Sequence, residues 1–212
     1  MLKKTHITVG TTLTSIVALS AGVKITPAFI LAAAFGSIMP DMDHPGGAIN
    51  NKILLVKNNL FKSITYVALA IALVYYGPKY FDRYIFFYIA PALIVIAFSH
   101  HRGITHSLLG LAGIWLILSL IKHRYGVNII FPCVVGMGTH ILLDMFNPEG
   151  VELLAPYKKN FRFPITITTG SIWETLLFCC FTVCLIYFGV RWIGLKNIIL
   201  SPIFSLKHYI HL

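Results

Sequence analysis

Charged residues are scarce in this 212-residue chain: Asp, Glu, Lys and Arg together make up 11% of it, against roughly 25% in soluble domains. With 57% hydrophobic residues and a mean hydropathy of +0.80, that scarcity excludes an ordinary soluble domain. Cysteines are few as well. Cys133, Cys179, Cys180 and Cys184 all fall inside apolar runs without CxxC spacing, so each reads as a small hydrophobe and no structural disulfide is expected. H-E-x-x-H, G-x-S-x-G and Walker motifs are missing, which removes the zincin and lipase readings. Acidic residues are rarest: 7 Asp and Glu face 17 Lys and Arg, a net charge of +10. The cations lie in twos and threes between apolar runs, with no basic stripe or aromatic stacking motif, so headgroups and loops account for them better than nucleic acid.

What is present is a series of long apolar runs, at 63–77, 84–99, 104–121, 127–146 and 172–193, each near the length needed to cross a bilayer. Two weaker runs, 6–22 and 27–39, precede them. Unsatisfied backbone groups are costly in hydrocarbon and period-2 alternation is absent, so the runs must be helices. The expected fold is all-α: a polytopic transmembrane helical bundle of five to seven membrane helices, forming one domain over 1–212. Lys3 and Lys4 ahead of an apolar stretch superficially resemble a signal peptide. The threading of that stretch with Thr and Ser, and His6 at its start, argue for retention in the mature protein.

The ionisable groups gather in four places: Thr5-His6, Pro40 to Pro45, His100 to Ser107, and Gly138 to Asn147. If each run crosses once and the first two form a hairpin, the connections put all four clusters on one face of the membrane, where they can share a pocket. Lys and Arg divide nine to eight between the two faces, so the positive-inside rule assigns no orientation.

His140-x3-Asp144 sets an imidazole and a carboxylate one helical turn apart on one face. Either alone can be a satisfied core group, but both inside a membrane segment need a partner, which favours a metal. Asp41-x-Asp43-His44 adds two carboxylates and an imidazole. Singly, those carboxylates could cap backbone amides; together they repel unless a cation intervenes. In the third cluster His101 and His106 flank Arg102, which serves either as a membrane-edge anchor or as a bidentate phosphate grip, while Ser107 offers a capping or substrate-binding hydroxyl. His100, His123, His208 and His211 carry no spacing argument, and Lys158, Lys159 and Arg162 form a basic loop able to attract anions. Glu149, Glu152 and Glu174 could extend the site. A His/Asp set with more than four candidate ligands suits Zn2+, or Mn2+, better than Mg2+ and could hold two or more ions.

The ordered set Thr5-His6, Gly36-Ser37-x2-Pro40-Asp41-x-Asp43-His44-Pro45, His101-Arg102-Gly103-x-Thr105-His106-Ser107 and His140-x2-Leu143-Asp144-x-Phe146-Asn147, followed by Gly150 to Pro156, resembles the bacterial inner-membrane, metal-dependent hydrolase family, some of whose members are LexA-regulated. The order of an early His, Pro-Asp, a His pair and His-x3-Asp is also distantly similar to helical zinc-dependent phospholipase C. The second likeness implies His6, Asp41, His106, His140 and Asp144 as ligands; the first adds Asp43, His44 and His101.

The resulting expectation is a multi-pass inner-membrane phosphoesterase acting by metal-activated water on a phospholipid or lipid-linked phosphoester. Metal ligands are expected at His6, Asp41, His44, His101, His106, His140 and Asp144, with Asp43 as base or bridging ligand and Arg102 steadying phosphate charge. Arg102, Ser107 and Asn147 are expected to bind substrate. Two other readings use the same residues: divalent-cation binding or transport without hydrolysis, and a structural metal that only ties helix ends together.

Overall fold

The computed structural model describes residues 1–80, 83–120 and 127–193. His123, His208 and His211 lie outside the described residues. The described chain is helical: α1 (Lys3–Ser20), α2 (Pro27–Gly36), a short α3 (Asn50–Ile53), α4 (Asn59–Tyr80), α5 (Arg83–Phe98), α6 (Leu108–Leu120), α7 (Val127–Met145) and α8 (Ile172–Ile193). Two 3-10 turns, Pro40–Asp43 and Ile104–His106, interrupt the sequence between helices. Extended pairing among the described residues is limited to one isolated antiparallel bridge, Val151 with Phe161. The all-α bundle is therefore as the apolar runs predict.

The helix boundaries refine that expectation. The run 104–121 is not one helix, because Ser107 takes an extended backbone (φ −113°, ψ 165°) and its Oγ accepts the Gly110 amide at 3.1 Å, so α6 starts afresh at Leu108. Thr26 caps α2 in the same way, accepting the Phe29 amide at 3.1 Å with Pro27 in the first turn. Among the described residues, three stretches are long and apolar enough to cross a membrane: Asn59–Tyr80, Asn128–Met145 and Ile172–Val190. Pro27–Gly36, Phe86–Phe98 and Leu108–Leu120 are shorter apolar helices. Of the five to seven membrane helices expected from the sequence, these three have the length and apolarity of a span.

α1 falls short on hydropathy because it is threaded with hydroxyls, and it packs against α2, α7 and α8. Thr8, Thr11, Thr12 and Ser15 are buried, and two of the hydroxyls turn back onto their own helix, Thr12 donating to the Thr8 carbonyl and Ser15 to the Thr11 carbonyl, both at 2.8 Å. α2 and α7 approach closely through glycine. A methyl at Gly36 would collide with the Cys133 carbonyl, and one at Gly136 with the Ala33 carbonyl. That approach brings the end of α2 and the turn after it onto the C-terminal half of α7, where His140 and Asp144 stand.

The 147–171 connection folds back over the same end. Its backbone pairs with the polar turns and helix ends there, Glu152 N donating to Arg102 O at 3.0 Å and Leu153 O accepting from Leu108 N at 2.9 Å. Glu174 of α8 is buried and accepts the amides of Leu2 and Gly170 at 2.5 and 2.6 Å, tying α8 to the start of α1.

Candidate metal centre

Four side chains from three elements meet at this end of the bundle: Asp41 from the first 3-10 turn, His106 from the second, and His140 and Asp144 from α7. His106 Nε2 stands 3.2 Å from His140 Nε2, 3.7 Å from Asp41 Oδ1 and 3.5 Å from Asp144 Oδ2. His140 Nε2 is 3.5 Å from the same Asp41 oxygen and 3.6 Å from the same Asp144 oxygen. These five separations are close to the roughly 3.3–3.6 Å between donors that share one ion at bond lengths of about 2.0–2.2 Å, and all four ligand atoms lie within 4.8 Å of one another.

The ring tautomers follow from the neighbours. His140 Nδ1 lies 2.6 Å from the Ser37 carbonyl, which can only accept, so Nδ1 carries a hydrogen and Nε2 faces the cluster. His106 Nδ1 faces Asp43 Oδ2 at 3.2 Å, again leaving Nε2 toward the cluster. Two imidazole nitrogens 3.2 Å apart repel unless a proton or a cation lies between them. With two carboxylates completing the set, one divalent cation satisfies all four donors at once. The donor set therefore fits a metal, and both histidines have the outer hydrogen-bond partner that metal-bound imidazoles characteristically have.

His6 stacks on His140, with centroids 3.9 Å apart, and its Nε2 is 3.3 Å from the other Asp144 oxygen, Oδ1. The N-terminal ammonium also faces Asp144 Oδ1, at 3.5 Å, while His6 Nδ1 is buried without a hydrogen-bond partner.

Asp43, His101 and His106 form a second group whose ligand atoms lie within 4.8 Å of one another. Asp43 is already engaged: Oδ1 meets His101 Nδ1 at 2.9 Å, and Oδ2 accepts from Thr105 Oγ1 at 2.5 Å and from the Arg102 amide at 3.1 Å. It is thus placed to orient His106 and to fix the Arg102 backbone, which takes a left-handed φ of 65°.

Burial would raise the Asp41 carboxyl, but His106 and His140 outweigh it and hold Asp41 well below the usual carboxylate range. Asp43 follows the same pattern, burial opposed and overcome by His101 and His106. His106 moves up despite its burial, because Asp41 and Asp43 favour its cation. The carboxylates thus draw positive charge to this spot.

The remaining expected residues fall into place as follows. His44 is exposed, accepts the Gly46 amide on Nδ1 at 3.0 Å and lies tilted against the His101 ring, centroids 4.6 Å apart, without joining either cluster. Burial and the neighbouring His101 lower its pKa. Arg102 pairs with Glu149 at 2.6 Å and lies 3.9 Å from Asp144. Its guanidinium lines a polar cavity of about 190 Å³ with Lys3, His6, Asp41, His101 and Asp144. Ser107 is buried and donates to the Ile104 carbonyl at 2.7 Å, so its hydroxyl is occupied as the α6 cap. Asn147 bonds Thr169 and the Glu149 amide, both at 3.2 Å, and organises the loop without lining the cavity. His100 meets Glu152 at 3.1 Å.

Sequence reasoning missed the framework behind Asp41 and Asp43. Lys62 is buried, and its Nζ donates to the carbonyls of Asp43 and Ser99, each at 2.6 Å. Asn50 Nδ2 donates to the carbonyls of Met42 and His44 at 2.8 and 2.7 Å, and Tyr66 in turn donates to Asn50 Oδ1 at 2.6 Å. The available signal was Lys62 and Tyr66 one turn apart at the start of an apolar run.

The YdjM inner membrane protein family matches residues 1–210, nearly the whole chain. The chain belongs to that family. Membership places it in the bacterial inner membrane, as the four motifs imply. It is 33% identical over 97 residues to the uncharacterized protein YvsG of Bacillus subtilis, covering 45% of this chain and 58% of that protein. It is 37% identical over 73 residues to the inner membrane protein YdjM of Escherichia coli, covering 32% of this chain and 36% of that one. The matched stretch therefore spans from about a third to somewhat over half of the curated relatives. No solved structure matches.

Proposed function

We propose that this YdjM-family protein is a multi-pass, metal-dependent hydrolase, a phosphoesterase that acts on a phospholipid or lipid-linked phosphoester at one membrane face. The observation that carries the reading is the convergence of Asp41 Oδ1, His106 Nε2, His140 Nε2 and Asp144 Oδ2, all within 4.8 Å of one another, beside a polar cavity. These four residues would hold the ion, and mixed imidazole and carboxylate donors favour Zn2+, with Mn2+ next. Bound there, such an ion would lower the pKa of water and polarise a phosphoryl oxygen. His6 Nε2 and the Asp144 Oδ1 it faces supply the start of a second ion position.

The chain's own groups do the rest. Asp43 keeps His106 in the tautomer that presents Nε2 and pins the Arg102 backbone. Arg102, which lines the cavity and pairs with exposed Glu149 at 2.6 Å and with Asp144 at 3.9 Å, can exchange Glu149 for phosphate oxygens. Lys3 adds positive charge at the rim. A cavity of about 190 Å³ is below the roughly 300–1,000 Å³ of drug-sized ligand pockets and suits a headgroup, leaving the rest of a lipid outside it.

The test is to purify the full chain with His140→Ala and Asp144→Ala variants, measure bound metal by elemental analysis, and screen lipid phosphoesters with and without chelator. Loss of both metal and hydrolysis in either variant is expected. Hydrolysis that survives in metal-free variants overturns the assignment, and bound metal without hydrolysis of any phosphoester rejects the enzyme reading in favour of cation binding.

A further inference from the structure

The lining of the polar cavity, about 190 Å³ in volume, carries positive charge that its own acids do not balance. Two carboxylates line it, Asp41 and Asp144, and both belong to the set that would hold the ion. A divalent cation there matches their two charges, and the N-terminal ammonium also faces Asp144 Oδ1 at 3.5 Å. Asp43 and Glu174, the other buried carboxylates at this end, stay outside the lining. Asp43 is engaged by His101, Thr105 and the Arg102 amide, and Glu174 by the amides of Leu2 and Gly170.

Two cations of the lining, Lys3 and Arg102, are left to an incoming ligand. Lys3 makes no ion pair among the described residues. Arg102 has one close carboxylate, Glu149 at 2.6 Å, whose side chain is 76% exposed and lies outside the lining, and a more distant one, Asp144, at 3.9 Å. The Arg102 Nε–H is buried without a hydrogen-bond partner, so one edge of the guanidinium is unsatisfied. The wall around these groups is polar: Met1 is its one apolar side chain, and Gly46 and Gly47 present bare backbone.

We infer that this cavity takes a terminal phosphate dianion, so that the esters hydrolysed here are phosphomonoesters and not phosphodiesters. A monoester phosphate carries about two negative charges at neutral pH, whereas a diester carries one. Lys3 and Arg102 together match the dianion. A monoester also has a single organic substituent, which can extend out through the mouth, while a diester must lodge a second one against the polar wall. The inference rests on the phosphoesterase reading and names its ester class. In the step, the oxygen of water bonds to phosphorus and the P–O bond to the alcohol breaks. The alcohol leaves with one proton of that water, and the other stays on inorganic phosphate.

Inorganic phosphate is the binding probe, with dimethyl phosphate, a diester monoanion, as its counterpart. Both are titrated into the full chain in nanodiscs supplied with Zn2+. The parent should bind phosphate about tenfold or more tighter than dimethyl phosphate, and Lys3→Gln should lose about tenfold of the phosphate affinity. Lys4→Gln removes the same charge from a side chain that lies over the Phe178 ring outside the lining, and should bind phosphate as the parent does. Equal affinity for the two anions, or phosphate affinity indifferent to Lys3→Gln, overturns the inference.

Hydrolysis assays separate a lipid source of the phosphate from a soluble one. Phosphatidic acid should release inorganic phosphate, and phosphatidylglycerol, a diester, should stay intact. Turnover of glycerol 3-phosphate with phosphatidic acid untouched keeps the dianion and puts its source in solution. Turnover of phosphatidylglycerol in preference to both monoesters defeats the inference and leaves the phosphoesterase standing. Selective, Lys3-dependent phosphate binding with no ester hydrolysed keeps the anion site and defeats the phosphoesterase.

Discussion

Lys62 donates its ammonium to the main-chain carbonyl of Asp43 at 2.6 Å, from a site with 1% exposure. The same nitrogen reaches Ser99 O at 2.6 Å, so one cation joins the turn that carries Asp41 and Asp43 to the end of α5. A lysine so deeply buried in an apolar helix is costly unless its hydrogen bonds are complete, which makes the contact a positioning device.

Lys62→Met keeps the volume of the side chain and removes its charge. It strands two carbonyl acceptors, each worth about 1–3 kcal/mol when buried and unpaired. Thermal unfolding in detergent should show a clearly lower Tm, and metal affinity should weaken because Asp41 loses its support. A Lys62→Met protein with unchanged Tm and unchanged metal affinity contradicts this role.

Arg102 should act on substrate and leave the metal in place. Its guanidinium faces the polar cavity and bonds the exposed Glu149, while its backbone bonds Asp43. Arg102→Lys preserves charge and loses the bidentate fork, so KM for a phosphoester should rise with little change in bound metal. Loss of metal in Arg102→Lys would instead make the residue part of the ion site.

The fold and the site were legible to different degrees. The apolar runs revealed the helices, because length and apolarity are local properties of a membrane segment. The gathering of His6, Asp41, His106, His140 and Asp144 was legible for another reason: ionisable groups in so apolar a chain have few other uses. What spacing could not supply was the division of labour within the cluster. Asp41 and Asp43 are two residues apart, yet one faces the ion position and the other turns to His101, Thr105 and the Arg102 amide. That difference depends on the 3-10 turn at Pro40–Asp43. Ser107 and Asn147 looked like substrate groups in the sequence, but here their polar atoms bond the backbone and loop around them. The buried Lys62 escaped notice because a cation at a helix start ordinarily marks the membrane edge.

Acid should destabilise the metal-free protein through Asp43. Its folded pKa is held below the unfolded value of about 3.9, so its contribution is fully present above that value and is lost as pH falls through the folded pKa. Tm of the stripped protein should therefore drop on acidification below about pH 4, and Asp43→Asn should flatten that limb. An identical acid limb in both proteins would assign it to other groups.

The most direct measurement is elemental analysis of the purified full chain beside His140→Ala, which removes one of the four converging donors. The parent should carry a divalent transition ion in near-stoichiometric amount and lose Tm on chelation, while His140→Ala should carry little. A parent that binds no such ion when offered Zn2+ or Mn2+, and whose Tm ignores chelator, contradicts the claim that these imidazoles and carboxylates gather around a shared cation.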